Sequence, residues 1–155
     1  MKRILIAEDN RANLYMLQTL LEGEGFAVEA AENGKEALAR ARANPPDFII
    51  SDILMPIMDG YTLCRLCKSD EHLKDIPFMF YTAEYTERKD EDLALSVGAD
   101  RFVLKPQEPE AFMNILKEML EDARAGKRPA PKPLGEEMEF FRQHNEILFR
   151  KLEKK

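Results

Sequence analysis

The sequence lacks any long uninterrupted hydrophobic stretch, although 45% of its 155 residues are hydrophobic and 34% are charged. No stretch approaches the roughly 20 apolar residues that a transmembrane helix needs. The start of the chain, Met1-Lys2-Arg3-Ile4, also lacks the apolar core of a secretory signal peptide. These absences favour a soluble cytoplasmic protein without a membrane partner, and the length suits one domain with a short remainder.

Cysteine is scarce, since Cys64 and Cys67 are the only two in the chain. This number fits a reducing compartment. The CxxC spacing is compatible with a metal or redox site, but no second cysteine pair is present to complete a zinc site. We therefore expect both side chains to pack in the ordinary way.

The net charge of −6 is unevenly distributed along the chain. Residues 1–122 contain 24 acidic and 14 basic residues, giving −10, whereas residues 123–155 contain 5 acidic and 9 basic residues, giving +4. An acidic body repels nucleic acid, and the basic remainder is too mixed in sign to form a nucleic-acid arm. No nucleic-acid partner is predicted.

Short apolar runs alternate five times with stretches of helical periodicity. The runs predicted as strands are 3–7, 26–30, 48–50, 77–81 and 101–104. An apolar run without alternation is typical of a strand buried on both faces. The pattern predicts an α/β fold, a doubly wound five-stranded parallel sheet with helices on both faces.

Polar side chains follow four of these strands. Glu8 and Asp9 follow the first strand, Asp52 the third, Thr82 the fourth and Lys105 the fifth. Parallel strands end at one edge of the sheet, where open α/β sheets bind their ligands. An alternative is that Asp52 merely caps the element that follows it.

The chemistry of these side chains suggests a phosphoryl group and a cation. Crowded carboxylates repel one another unless a cation relieves them, and Mg²⁺ prefers oxygen ligands that it can share with a phosphate. A carboxylate is also a nucleophile toward phosphorus, while a lysine and a hydroxyl can neutralise the phosphoryl oxygens.

These residues, together with Met55-Pro56, Met58-Asp59-Gly60, Ala83 and Pro106, resemble the motifs of the receiver domain of two-component response regulators. The resemblance covers residues 1–122 and implies the flavodoxin-like strand order 2-1-3-4-5. It implies that Asp52 accepts a phosphoryl group from a histidine kinase or a phosphotransfer protein, and that self-phosphorylation and self-dephosphorylation with Mg²⁺ are its only catalysis.

The resemblance also assigns roles to the surrounding residues. Asp9, Asp52 and the backbone carbonyl of Leu54 would bind Mg²⁺ directly, and Glu8, where many members have Asp, would act through water. Thr82 and Lys105 would contact the phosphoryl group. Thr82 and Phe102 would form the switch, and because Phe102 stands where the family often has Tyr, that switch would rely on packing alone.

Two other function classes are compatible with a reactive aspartate. A phosphatase of the haloacid dehalogenase type normally has a second Asp two residues after its nucleophile, but this chain has Leu54 there. A phosphorylation-independent pseudo-receiver would act as a binding module, and the presence of Asp52, Thr82 and Lys105 disfavours it.

The remainder of the chain differs in composition. Residues 123–135 are rich in proline and are predicted to be a semi-rigid linker. Residues 136–155 are predicted to form an amphipathic, coiled-coil-like helical extension, with Met138, Phe141, Asn145, Leu148 and Leu152 at the a and d positions. This pattern predicts a parallel homodimer, and the alternative is a helix docked on the receiver's own surface. The uncapped end at Lys155 suggests either truncation before a further domain or a stand-alone receiver.

Overall fold

The computed structural model describes residues 2–83 and 88–126. Within these residues strand and helix alternate five times, as predicted. The strands are β1 (Arg3–Ala7), β2 (Ala27–Ala31), β3 (Phe48–Ser51), β4 (Phe78–Thr82) and β5 (Arg101–Leu104). The helices are α1 (Arg11–Gly23), α2 (Gly34–Ala43), α3 (Gly60–Lys68), α4 (Arg88–Ser96) and α5 (Pro109–Arg124).

The strands form one parallel sheet in the order β2-β1-β3-β4-β5, which confirms the predicted topology. Ala7, the last residue of β1, lies opposite Ala31 and Ser51, which end their own strands. Thr82 lies opposite Leu104 in the same way. Residues that follow β1, β3 and β5 therefore emerge side by side at one edge of the sheet.

Apolar side chains cover both faces of the sheet. Ile4 and Ile6 of β1 pack in the cluster shared with α1 and α5, whereas Leu5 between them packs in the cluster on the opposite face. Alternate residues of a strand point to opposite faces, so a strand that is apolar throughout must be covered twice. Each large apolar side chain buried in this way stabilises the fold by about 1.5–3 kcal/mol, which fixes the ends of the strands firmly.

Polar side chains define where the helices begin. The Asn13 backbone N–H donates to Oδ1 of Asn10 at 3.0 Å before α1, and the Glu36 N–H donates to Oδ1 of Asn33 at 2.8 Å before α2. Asp59 caps α3 through the Thr62 N–H at 3.0 Å. These side chains satisfy backbone donors that have no partner within the helix.

The differences from the predicted boundaries are small. β2 begins at Ala27 rather than Phe26, because the Phe26 N–H donates to the carbonyl of Leu21 in α1, at 3.1 Å, rather than to a neighbouring strand. α5 continues to Arg124, two residues into the predicted linker. Residues 127–135 of the predicted linker and the predicted extension at 136–155 lie outside the described residues.

Cys64 and Cys67 are both buried in the core, as expected for packing, and burial raises the pKa of each thiol. Across residues 2–83 and 88–126, every helix is too short or too polar to cross a bilayer.

Candidate functional site

Three carboxylates meet at the edge of the sheet where the strands end. Glu8 and Asp9 follow β1, Asp52 follows β3, and one oxygen from each lies within 4.8 Å of the other two. The Glu8 N–H donates to the carbonyl of Ala31 at 3.0 Å, and the Asp52 N–H donates to that of Ala7 at 2.9 Å. The sheet thus holds both residues one position beyond the strands, and an oxygen-rich site results.

Lys105 lies among these carboxylates. Its Nζ forms an ion pair with Oε1 of Glu8 and lies 3.6 Å from Oδ2 of Asp52. The Lys105 backbone N–H donates to the carbonyl of Thr82 at 2.8 Å, and Nζ lies 5.5 Å from the centre of the Tyr81 ring. One cation therefore offsets part of the charge of three acids, and the site still favours a further cation.

The three acids differ in burial, and burial changes the pKa of the most buried one. Glu8 is only 4% exposed, whereas Asp9 is exposed and Asp52 is intermediate. Burial, and then the charge of Asp52, raise the pKa of Glu8 from 4.5 to about 7, although Lys105 and the Asn10 N–H oppose the shift. For Lys105, burial alone would lower the pKa, but Asp52 and Glu8 outweigh it and the pKa is raised.

Neighbouring backbone groups orient Asp52. Its Oδ1 accepts a hydrogen bond from the Ile53 N–H at 2.7 Å, which leaves Oδ2 on the side of Lys105. The hydroxyl of the buried Ser51 donates to the Asp52 carbonyl at 2.7 Å. Neither Ser51 nor Ile53 is among the site residues predicted from the sequence, since the predicted third strand ends at residue 50.

Gly60 permits the close approach of α3 to this site. A Cβ atom at Gly60 would lie 2.2 Å from the carbonyl oxygen of Asp52 and 2.9 Å from the Phe80 ring. Met58-Asp59-Gly60 belongs to the motif that resembles the receiver domain, but nothing in the sequence indicated this contact. Glycine is therefore required here for the space it leaves.

The loop between β3 and α3 contains an unusual backbone conformation. Ile57 has φ +72°, and the Met58 N–H donates to the Pro56 carbonyl across it at 2.7 Å. Ile57 is also 77% exposed. A β-branched residue rarely adopts positive φ, so this strained turn beside the site could not be predicted from the residue type.

The other predicted site residues lie in different environments. Thr82 ends β4 and is fully buried, and Leu54 is buried at 8% exposure in the loop after Asp52. Phe102 lies within β5 rather than at the strand ends, half-buried, with its ring 6.4 Å from that of Phe80. Five of the predicted residues thus lie at one edge of the sheet: Glu8, Asp9, Asp52, Thr82 and Lys105. Phe102 lies within β5, away from the strand ends.

The donor set suits a divalent metal ion. Glu8, Asp9 and Asp52 offer carboxylate oxygens close enough together to share one ion. Hard cations prefer such all-oxygen sites and leave positions open for water or a phosphate. The acidic edge can therefore hold a metal ion next to the Asp52 carboxylate.

Comparisons with known proteins agree with this geometry. The model of the response regulator receiver domain family matches residues 4–117. The chain is 33% identical over 122 residues to the polar-differentiation response regulator DivK of Brucella anthropi, covering 79% of this chain and 98% of that protein.

Two solved structures are also similar. The receiver domain of a signal transduction histidine kinase from Syntrophus aciditrophicus has a TM-score of 0.73 at 35% identity, covering 88% of this chain and all of that one. The receiver domain of a Pseudomonas aeruginosa sensor histidine kinase, described with a magnesium ion in its active-site cleft, has a TM-score of 0.71 at 26% identity, covering 77% and 98%. The chain, with its parallel sheet and acidic edge, belongs to the response regulator receiver domain family of two-component signalling.

Proposed function

We propose that Asp52 accepts a phosphoryl group from a histidine kinase or a phosphotransfer protein in the cytoplasm and thereby switches a partner or an output domain. The observation that supports this most strongly is the setting of the Asp52 carboxylate. One oxygen is held by the Ile53 N–H, and the other lies 3.6 Å from Nζ of Lys105 beside two further acids. A carboxylate oxygen so placed can attack phosphorus, forming a P–O bond as the bond to the donor's leaving group breaks.

The surrounding residues would bind the metal ion and the phosphoryl group. Asp9, Asp52 and the backbone carbonyl of Leu54 would hold Mg²⁺, with Glu8 acting through water. Bound Mg²⁺ would neutralise the carboxylates and the phosphoryl oxygens. Lys105 is positioned by Glu8 and Asp52, so its ammonium group is already at the edge where the phosphoryl group arrives.

The switch would involve Thr82 and Phe102. Thr82 follows Tyr81 at the end of β4, and its hydroxyl would bond to the phosphoryl group. Phe102 is half-buried against Phe80, so a movement toward the space near Thr82 would bury more of its ring. The phenyl ring has no hydroxyl, and the free energy of this step would come from burial alone.

Incubation with a small phosphodonor tests the proposal. We expect the intact mass to increase by one phosphoryl group in the presence of Mg²⁺, and not in EDTA or in Asp52→Asn. Asp47→Asn, an exposed acid whose Oδ2 accepts the Arg3 N–H far from the acidic edge, serves as the control. Equal labelling of Asp52→Asn would refute the assignment, and repeated turnover of the donor without a stable adduct would favour the phosphatase class.

The domain organisation remains a proposal as well: a receiver at 1–122, a linker at 123–135 and a helix at 136–155. The apolar stripe of Met138, Phe141, Leu148 and Leu152 supports a parallel homodimer, because an isolated helix would expose it to water. Sedimentation velocity tests this proposal. A monomer at all concentrations would rule out the dimer.

A further inference from the structure

Tyr81, the residue before Thr82 at the end of β4, contacts both the Lys105 side chain and the loop that follows it. Nζ of Lys105 lies over the Tyr81 ring, 5.5 Å from its centre. The Tyr81 hydroxyl oxygen accepts a hydrogen bond from the Gln107 backbone N–H at 3.2 Å. We propose that Tyr81 positions the ammonium group of Lys105 for phosphoryl transfer to Asp52, a role that rests on the proposed function of Asp52.

The last two residues of β4 hold the backbone on both sides of the Lys105 side chain. The Lys105 N–H donates to the carbonyl of Thr82 at 2.8 Å, and the Tyr81 hydroxyl accepts the N–H of Gln107, two residues further on. The side-chain amide of Gln107 donates to the carbonyl of Leu104 at 2.9 Å and closes this turn. The Lys105 side chain therefore starts from a fixed point.

The ring of Tyr81 guides the other end of that side chain. A lysine ammonium group lies on a flexible four-carbon stem, so its position depends on the groups around it. Nζ pairs with Glu8 and lies 3.6 Å from Oδ2 of Asp52. A ring face attracts a cation within about 6 Å of its centre and forms no directional hydrogen bond with it. Nζ can therefore turn from Glu8 toward a phosphoryl oxygen on Asp52 and stay next to the ring.

The Tyr81 ring is itself held in place. It packs against the ring of Phe112 in α5, with the two centres 4.6 Å apart and the planes at 38°. Phe112 is 1% exposed and belongs to the apolar core on that face of the sheet. Burial raises the pKa of the Tyr81 hydroxyl, so Lys105 lies beside a neutral ring. The alternative role for Tyr81 is to fill space beside Phe112 without any effect on Lys105.

The rate of Asp52 phosphorylation in the full chain tests the inference. Tyr81→Phe removes the hydroxyl and keeps the ring, whereas Tyr81→Leu removes both. With a small phosphodonor and saturating Mg²⁺, we expect the rate constant to fall about threefold in Tyr81→Phe and about tenfold in Tyr81→Leu. Tyr15→Leu, at a position of α1 that is 71% exposed, is the control and should react as the wild type does.

Two further measurements separate positioning of Lys105 from general damage to the site. The Mg²⁺ concentration that gives half the maximal rate should equal that of the wild type, because β1 and β3 hold the carboxylates that would bind the ion. In NMR spectra recorded with EDTA, the ring should shift the ε-CH₂ signals of Lys105 upfield in the wild type and in Tyr81→Phe, but not in Tyr81→Leu. Loss of these signals in Lys105→Arg identifies them.

Equal rate constants for the wild type and Tyr81→Leu would overturn the inference. A slower reaction that is fully explained by weaker Mg²⁺ binding would also overturn it, and so would a Lys105 signal that is the same in all the Tyr81 variants. If the wild type is not labelled at Asp52, the proposed function fails. The Lys105 signal still decides, in that case, whether Tyr81 holds the ammonium group.

Discussion

The buried carboxyl of Glu8 gives the protein a pH-dependent stability that can be calculated from the structure. The pKa of Glu8 is about 7 in the folded state and 4.5 for an ordinary glutamate, chiefly because burial disfavours the charged form. Between pH 4.5 and about pH 7 the folded protein binds more protons than the unfolded chain. Its stability therefore falls as the pH rises from about 4.5 to 7, the opposite direction to that of a salt-bridged acid with a lowered pKa.

The size of this effect follows from the shift. Each pKa unit corresponds to about 1.4 kcal/mol, so the higher pKa of Glu8 in the folded state removes about 2–3 kcal/mol of stability as the pH rises through this window. Glu8 is only 4% exposed, so solvent screens this contribution little. The loss is a large fraction of the 5–15 kcal/mol that typically stabilises a domain.

Glu8→Gln removes the titrating group and keeps the shape of the side chain. We expect the wild type to lose about 2–3 kcal/mol more than Glu8→Gln between pH 5 and pH 8, in urea unfolding measured with EDTA. Glu22→Gln, which removes an exposed acid of α1, is the control and should follow the wild type. A constant difference between wild type and Glu8→Gln at every pH would show that Glu8 does not cause the pH dependence.

Three further predictions concern the same edge. Mg²⁺ should stabilise the wild type more at pH 8 than at pH 5.5 in thermal unfolding, because ligation requires ionised carboxylates, and equal stabilisation would contradict this. Leu54→Asn or Leu54→Gln should shorten the half-life of the phosphorylated protein, since an amide can orient the attacking water where Leu54 cannot; an unchanged half-life by intact mass would exclude this explanation. Gly60→Ala should lower the free energy of unfolding by about 1–3 kcal/mol or more, because its Cβ would lie 2.2 Å from the Asp52 carbonyl oxygen. A loss below about 0.5 kcal/mol in urea would show that the loop relaxes.

The fold could be predicted because the sequence patterns that indicate its strands lie within short segments of the chain. The strand residues around Ile4 and Ile49 form apolar runs without alternation, as required by a sheet that is covered on both faces. Polar residues placed immediately after such runs must share an edge, and so the gathering of Glu8, Asp52 and Lys105 also followed from the sequence. The start of β2 differs by one residue because the backbone N–H of Phe26 bonds to Leu21 of α1, a contact between segments that the local pattern does not indicate.

The features that escaped prediction depend on contacts between distant residues or on rare backbone conformations. The ion pair of Glu8 with Lys105 joins residues 97 positions apart, and the burial that raises the pKa of Glu8 exists only after folding. The positive φ of Ile57 contradicts the preference of its residue type. Neither feature has a signature within a short sequence window.

Locating the phosphoryl group shows most directly whether Asp52 is the phosphoacceptor. After reaction of the full chain with a small phosphodonor and Mg²⁺, borohydride reduces an aspartyl-phosphate to homoserine, and peptide mapping locates the altered residue. We expect the change at Asp52, and none when Mg²⁺ is removed by EDTA. Modification at Asp9 or Asp59 with Asp52 intact, or no modification with Mg²⁺ at any donor concentration, would contradict the assignment of Asp52 as the phosphoacceptor.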